Sequence, residues 1–439
     1  MSDKMQQLPP NASGPRIHLA SLGCAKNLVD SEKLLARLAL AGGHVGAAPD
    51  EADIVIVNTC GFIGPARDES VRTAHEYGTL RRDGTIQKLI VMGCLAQRDA
   101  DALRAELPEV DVIVGLRSHD EIVRACDLEA PVDAGDARLL LTPAHAAYLR
   151  ISDGCDNRCS YCTIPLIRGG FQSRSPEAIL GEARDLVANG AKELVVIGQD
   201  TTSYGKDLVN APRVHELLGQ LAALDPVHWI RLLYTHPAHF SEALIDAYAA
   251  NAKLCAYVDI PLQHLNDSVL HRMGRKVTQA TCLRIIEALR RAVPEIAIRT
   301  TFIVGFPGET DAQFEELLAL TKELRFDHMG AFAYSAEEGT EAATFPDQVP
   351  EAVVTERLER LMLAQQEIAF ERNDAMVGTT REVLIDEATE QDDLWVGRTE
   401  SQAPDVDSIT FVTGDGLELG DFVHARIIGS QDYDLIAEV

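Results

Sequence analysis

The sequence predicts an α/β chain of three consecutive domains: an open parallel α/β sheet domain at the amino terminus, a partial (βα)6 barrel in the middle and a small β-barrel at the carboxyl terminus. Three observations carry that prediction. Three short apolar runs near the start each end in a cysteine and are followed by a helical pattern; six further strand-and-helix alternations come next, with no sequence repeat; and five short strands divided by Asp- and Gly-rich turns close the chain. The expected boundaries are a disordered tail over 1–15, the first domain over 16–126, a linker over 127–145, the barrel over 146–372 and the small barrel over 373–439.

The opening MSDKMQQLPPNASGP is polar and proline-containing, without an apolar stretch of the signal-peptide or membrane-spanning kind. A frayed tail on a cytoplasmic protein with no membrane partner is expected. Ile17 to Leu22, Ile54 to Asn58 and Leu89 to Met92 read as buried parallel strands, because each is a near-continuous apolar run. They lead into Cys24, Cys60 and Cys94. In an open parallel sheet the carboxyl ends of the strands share one edge, where ligands bind, so three cysteines far apart in sequence can converge there. The bland alternative is three small buried side chains near strand ends. Gly23, Gly61 and Gly93 flank these cysteines and are expected to let backbone approach a bulky inorganic ligand. Cys126 follows no such strand and reads as a core or surface thiol. Nine cysteines, an odd and scattered set, argue against a secreted disulfide framework.

The barrel strands are expected near Tyr148 to Ser152, Glu193 to Ile197, Trp229 to Tyr234, Tyr257 to Pro261, Ile298 to Gly305 and His328 to Tyr334. Helical stretches separate them; the one over 176–189 begins with Ser175 as cap and Pro176 in its first turn, and stops at Gly190. Six such units with right-handed crossovers make an incomplete barrel, whose chemistry belongs at the carboxyl ends of its strands. The loop after the first strand, Asp153 to Cys162, reads D-G-C-D-N-R-C-S-Y-C and sets Cys155, Cys159 and Cys162 in a C-x3-C-x2-C spacing. Soft thiolates favour iron-sulfur clusters or zinc. A structural zinc site closes with four ligands, and the next cysteine downstream is Cys255. Three thiolates alone suggest a cluster with one iron open to a substrate or cofactor; three reduced thiols without metal are the alternative. His236, His239 and His264 read as hydrogen-bonding residues, Cys255 and Cys282 as packing, and 351–372 as a charged helix leading to the last domain.

The formal net charge is −28, and residues 373–439 hold sixteen acidic against three basic side chains, a net of −13. A surface that grips nucleic acid is normally basic, so no direct nucleic-acid binding is expected through this small barrel. Opposite potentials steer encounter with a basic protein.

C-x3-C-x-aromatic-C, with Tyr161 as the aromatic, resembles the signature of the radical S-adenosylmethionine (SAM) enzymes. The resemblance implies that Cys155, Cys159 and Cys162 hold a 4Fe-4S cluster whose open iron binds SAM, and that reductive cleavage gives a 5'-deoxyadenosyl radical. It also places Tyr161 against adenine, Gly305 (in I-V-G-F-P-G-E) in the adenosine-contacting segment, and Gln199 facing SAM or substrate. The stretches from Leu22 to Glu32 and from Asn58 to Ile63 resemble the amino-terminal domain of the methylthiotransferases, which implies a second 4Fe-4S cluster on Cys24, Cys60 and Cys94. The family's first loop usually has Pro where this chain has Ala25. The last domain resembles the TRAM domain. KNLVDSE, NTCGFI, GQDTTSYG and AYSAEEGT look like the branch that methylthiolates an aspartate β-carbon in small-subunit ribosomal protein uS12. That implies uS12 or the ribosome as partner, an external sulfur source, and a low-potential electron donor such as flavodoxin or ferredoxin. Two other readings stay open, a tRNA adenosine methylthiotransferase of the same architecture and a non-catalytic iron-sulfur carrier.

Overall fold

The computed structural model describes residues 14–116, 118–132, 135–391 and 393–439. Most of the expected tail, residues 1–13, lies outside the described residues, as do two positions of the expected linker, 133 and 134. The chain divides into two compact units. One runs through Thr142 and takes in Asp153–Asp156 and Thr163–Phe171; the other holds Pro143–Ser152, Asn157–Cys162 and Gln172–Val439.

The first unit alternates β1 (Arg16–Ser21), α1 (Ala25–Leu40), β2 (His44–Val45), β3 (Ile54–Thr59), α2 (Gly64–Arg82), β4 (Lys88–Gly93), α3 (Cys94–Glu106), β5 (Val112–Val114) and α4 (His119–Ala125). Its strands are all parallel, in the order β2-β1-β3-β4-β5. Alternate residues of the apolar runs face opposite ways. Val55, Val57, Leu89 and Val91 pack with Val71 and Ala74 of α2 and Leu103 of α3. Ile54, Ile56, Ile90 and Met92 pack with Leu34 and Leu38 of α1 and Ile122 and Val123 of α4. Helices thus cover both faces, and each fully buried aliphatic side chain contributes about 1.5–3 kcal/mol. Within 127–145, a stretch is tied to α1: Asp136 pairs with Lys33 at 2.6 Å, and buried Arg138 donates from Nε to Glu32 Oε2 at 3.1 Å. The Leu141 amide donates to the other Glu32 oxygen at 2.9 Å. Helix α5 (Ile164–Arg168) also belongs to this unit.

The second unit follows β6 (Ala146–Arg150) and the two-residue strands β7 (Ser152–Asp153, whose Asp153 falls in the first unit) and β8 (Gln172–Ser173) with α6 (Pro176–Ala188), β9 (Glu193–Ile197), α7 (Val214–Ala222), β10 (Trp229–Leu232), α8 (Glu242–Ala250), β11 (Tyr257–Asp259), α9 (Asp267–Arg272), α10 (Gln279–Ala292), β12 (Ala297–Val304), α11 (Asp311–Leu324) and β13 (His328–Ala333). β6, β9 and β10 form one parallel sheet and β11, β12 and β13 another. A parallel bridge from Ile230 to Leu254 joins β10 to the residues leading into β11. The long strands therefore follow one another in chain order, as a partial (βα)6 barrel requires. Ser175 Oγ accepts the Ala178 amide at 3.2 Å, capping α6 as its sequence predicts.

Helix α12 (Glu351–Met376) continues four residues past 372 and leads into a closed barrel of β14 (Thr380–Ala388), β15 (Leu394–Thr399), β16 (Thr410–Thr413), β17 (Phe422–Gln431) and β18 (Asp434–Glu438), in the order β14-β15-β16-β18-β17. This small barrel is anchored to the amino-terminal halves of the parallel strands through buried charge. Glu193 of β9, fully buried, accepts from Arg231 Nε and Arg398 Nη2, both at 2.8 Å. Arg398 also holds Asp386 at 2.7 Å. Asp407 accepts from Tyr257 Oη at 2.7 Å and Arg299 Nε at 3.2 Å; Asp405 accepts from Tyr148 Oη at 2.6 Å; and Glu400 accepts the Ala256 amide at 3.2 Å. The sequence suggests that the acidity of this domain faces a partner. Four of its sixteen acidic side chains, Asp386, Glu400, Asp405 and Asp407, are engaged within the chain.

Candidate metal centres

Strand register gathers the amino-terminal cysteines. Ser21 of β1 lies beside Asn58 of β3, and Thr59 beside Gly93 of β4, so the chain leaves the sheet at one edge through Cys24, Cys60 and Cys94. Cys24 caps α1 and Cys94 opens α3. The flanking glycines also let neighbouring segments pack closely. A Cβ on Gly23 (φ +90) would sit 2.8 Å from Cys60 Cβ, one on Gly61 2.7 Å from Leu95 Cα, and one on Gly93 (φ +104) 2.3 Å from Asn58 Oδ1. Asn27 laces the loops from below, donating to Leu22 O at 3.1 Å and Thr59 O at 2.9 Å, with its Oδ1 3.2 Å from Cys94 Sγ. Ser70 Oγ accepts the Cys60 amide at 2.9 Å.

Arg168, which the sequence reading passed over, completes this site. Buried at the end of α5, it donates from Nη2 to Asn27 Oδ1 at 2.8 Å and Asp30 Oδ2 at 2.9 Å and reaches Cys94 Sγ at 3.5 Å. Nη1 reaches Asp153 Oδ1 at 3.3 Å. Burial pushes the Cys94 thiol up to about 12, with Arg168 opposing it, and raises the Cys60 thiol as well. Burial also acts to raise the Cys24 thiol, but Lys26 and the Asn27 amide outweigh it and bring this thiol below its ordinary value. Cys24 is thus poised to ligate, and the other two thiols gain most from a metal that takes their protons. The only trace of Arg168 in the sequence is a lone basic residue in the apolar run T-I-P-L-I-R-G-G; it stands 74 positions from Cys94.

The cysteines of the C-x3-C-x2-C loop are divided between the two units, Cys155 in the first and Cys159 and Cys162 in the second. In the first unit the Cys155 amide donates to Gly169 O at 3.2 Å, and a Cβ on Gly154 (φ +69) would fall 2.1 Å from Gly170 O. In the second unit Ser160 donates its amide to Met273 O at 3.0 Å and its hydroxyl to Arg272 O at 2.8 Å, and accepts the Ala342 amide at 2.8 Å. Arg275, buried, brings Nη1 to 3.8 Å from Cys159 Sγ while Nη2 donates to Pro261 O at 2.5 Å. All nine cysteines are thiols. Among the described residues no three His, Cys, Asp or Glu side chains converge tightly enough for one metal ion. In a 4Fe-4S cluster each thiolate binds a different iron, so its ligands stand further apart than those of a zinc ion; Cys24, Cys60 and Cys94 with cationic Arg168 alongside suit an anionic cluster.

Tyr161 packs edge-on to Phe306 at 6.4 Å in an apolar cluster with Val269, Met273 and Ala342. Gly305 lies in the same loop as Phe306, but its φ of +73 and the 2.3 Å that would separate its Cβ from Val354 show that α12 requires the glycine, and its amide is taken by Glu309 Oε2 at 3.0 Å. Gln199 stands half-buried beyond β9. The next residue, Asp200, accepts from Asn157 Nδ2 at 2.8 Å and Ser203 Oγ at 2.8 Å and pairs with His239 Nδ1 at 2.7 Å. His236 Nδ1 accepts the Ala238 amide, and His264 Nδ1 those of Leu265 and Asn266. Burial lowers the two imidazoles to about 2 and about 3, so both are neutral. Cys126, Cys255 and Cys282 are buried, which pushes their thiols up to about 12, 12 and 11.

A strand-ordered partial barrel with a three-cysteine loop after its first strand is the architecture of one enzyme class. Residues 149–321 match the radical SAM superfamily, residues 16–115 the uncharacterized protein family UPF0004, and residues 377–439 the TRAM domain. The chain is similar to a radical S-adenosylmethionine methyltransferase, TsrM, from Kitasatospora setae, with a TM-score of 0.57 over 80% of this chain and 89% of that one at 14% identity; the likeness is one of fold. The protein is therefore of the radical SAM class, which brings with it SAM and a 4Fe-4S cluster. Ribosomal protein uS12 methylthiotransferase RimO of Geobacter sulfurreducens is 43% identical, and that of Geotalea uraniireducens 45% identical, each over 97% of this chain and 98% of the relative. The chain belongs to the RimO family of methylthiotransferases. Among the described residues no helix is long and apolar enough to cross a membrane.

Proposed function

We propose that this protein is a cytoplasmic enzyme that transfers a methylthio group to the β-carbon of an aspartate in ribosomal protein uS12. The observation that carries the proposal is the near-full-length similarity to relatives named as ribosomal protein uS12 methylthiotransferases; the aspartate β-carbon is what the resemblance in sequence adds. On this reading Cys155, Cys159 and Cys162 hold the cluster that binds SAM, and Cys24, Cys60 and Cys94 hold a second 4Fe-4S cluster that takes the sulfur. Bound together, SAM and the first cluster supply a carbon radical able to remove hydrogen from an unactivated carbon. The protein's own part is positioning and exclusion of water. Ser160, through Met273 and Arg272, fixes the backbone of the Cys159–Cys162 stretch; Tyr161 and Phe306 offer an apolar wall for adenine; Gln199 faces SAM or substrate. Arg275 sets a buried positive charge beside Cys159, and Arg168 sets another beside Cys94. An external sulfur source and a low-potential donor such as flavodoxin or ferredoxin complete the cycle.

The test is mass spectrometry of uS12 and of total tRNA nucleosides from cells with and without the gene. A methylthio increment lost from uS12 alone supports the proposal. An increment lost from adenosine instead would transfer the protein to the tRNA-modifying branch, and no change in either would overturn both.

A further inference from the structure

We infer that Arg168 is a positioning residue for the second cluster: its guanidinium donates to Cys94 Sγ and thereby sets the reduction potential of whatever iron-sulfur centre Cys24, Cys60 and Cys94 hold. The inference rests on the proposal that those three cysteines bind a cluster. A buried arginine is held by chemistry that needs its charge, and the groups around this one divide in a telling way. Asp30 and Asp153 are anionic partners at 2.9 and 3.3 Å, Asn27 Oδ1 is a neutral acceptor at 2.8 Å, and Cys94 Sγ at 3.5 Å becomes an anion once it ligates iron. The reach to sulfur is within the range of a hydrogen bond to that atom. Donation to a ligating thiolate, together with a nearby positive charge, stabilises the more reduced and more negative cluster and so raises its potential.

Arg168 also sits where one short segment serves both cysteine sets. It ends α5, and the residue after it, Gly169, accepts the amide of Cys155 at 3.2 Å. Its Nη1 meanwhile holds Asp153, two residues before Cys155. A hydrogen-bonded path of a few residues thus runs from the backbone of Cys155 to the sulfur of Cys94, entirely within the first unit. Asp153 competes with Cys94 for the same guanidinium, which gives a second handle on the charge felt at the sulfur.

The test uses full-length chains carrying C155A, C159A and C162A, so that iron binds only at the amino-terminal set, with R168Q, R168K or D153N added. Iron and sulfide per chain are counted first; absence of a cluster in the parent would refute the underlying proposal and leave no centre for Arg168 to tune. With a cluster present, R168Q is expected to keep its iron while its midpoint potential, followed by electron paramagnetic resonance during a redox titration, falls below the parent's. R168K, which keeps the charge, is expected to lie between the two. D153N, which removes a competing anion, is expected to raise the potential. Potentials in R168Q and R168K equal to the parent's would overturn the inference. Should both arginine variants fail to fold, an unshifted potential in D153N overturns it alone.

Discussion

Replacing Glu193 with Gln tests the buried charge that fastens the small barrel to the parallel strands. The carboxylate is fully buried between Arg231 and Arg398 at 2.8 Å each. Burial acts to raise its pKa, yet the two guanidinium groups outweigh that and carry it from its ordinary 4.5 down to about 2. At about 1.4 kcal/mol per tenfold change in proton affinity, the displacement is worth about 3 kcal/mol at neutral pH. Removing one partner of a buried ion pair costs about 3–5 kcal/mol by an independent route, so the two agree. The sign follows from the lowered pKa: the stabilisation is fully present above pH 4.5 and is lost as pH falls towards 2. At pH 3 about half of it should remain. The chain has two tryptophans, Trp229 against Phe422 at 4.8 Å and Trp395 within the small barrel, so fluorescence reports on this junction. Urea unfolding of the iron-free full chain should place Glu193→Gln below the parent by about 3 kcal/mol at pH 7 and by about half that at pH 3. A gap under about 1 kcal/mol at pH 7, or one of equal size at both pH values, would refute the reasoning.

Replacing Cys155 with Ala should stop both SAM cleavage and product formation, whereas replacing Cys60 should spare cleavage, measured as 5'-deoxyadenosine, and stop sulfur insertion; methylthiolated product from the Cys60 variant would contradict the division of roles. Gly93→Ala forces a Cβ to 2.3 Å from Asn58 Oδ1 at φ +104 and should destabilise by more than about 1 kcal/mol, with iron lost from the amino-terminal set first; iron retained at parental stoichiometry would show that the strand end tolerates displacement. Asp407→Asn leaves Arg299 with Asp259 alone at 3.2 Å and should lower the melting temperature without altering SAM cleavage by well-folded protein; a matching loss of cleavage would mean that the barrel base influences the mouth.

Strands announced themselves where apolar runs were long enough to carry a pattern. β3 and β4 were legible for that reason, whereas β2 and β5, two and three residues long, are too short to show one. The cysteines were legible because thiols at strand ends and in a tight spacing are chemically distinctive. Arg168 was not, because only the fold brings α5 to Cys94. The acidic last domain shows the same limit, because a net charge does not distinguish carboxylates turned to solvent from Asp386 and Asp407, which are turned inward. Gly305 was noticed as part of a recognisable segment, and the structure adds a local reason for a glycine there, since its missing side chain makes room for Val354.

The plug at the base of the parallel strands has a consequence for how the chain is made. Its anchoring groups, Arg398 to Asp407, are synthesised after all of their partners, which run from Tyr148 to Arg299. Until that stretch emerges, Glu193 lacks Arg398 and Arg299 lacks Asp407, and the half-made middle domain remains open at its floor. A message truncated shortly before codon 398 would therefore yield a protein with every cysteine in place and an unsealed base, open to proteolysis there. Synthesis of residues 398–407 acts as a late closing step for a middle domain whose cysteines all come earlier in the chain.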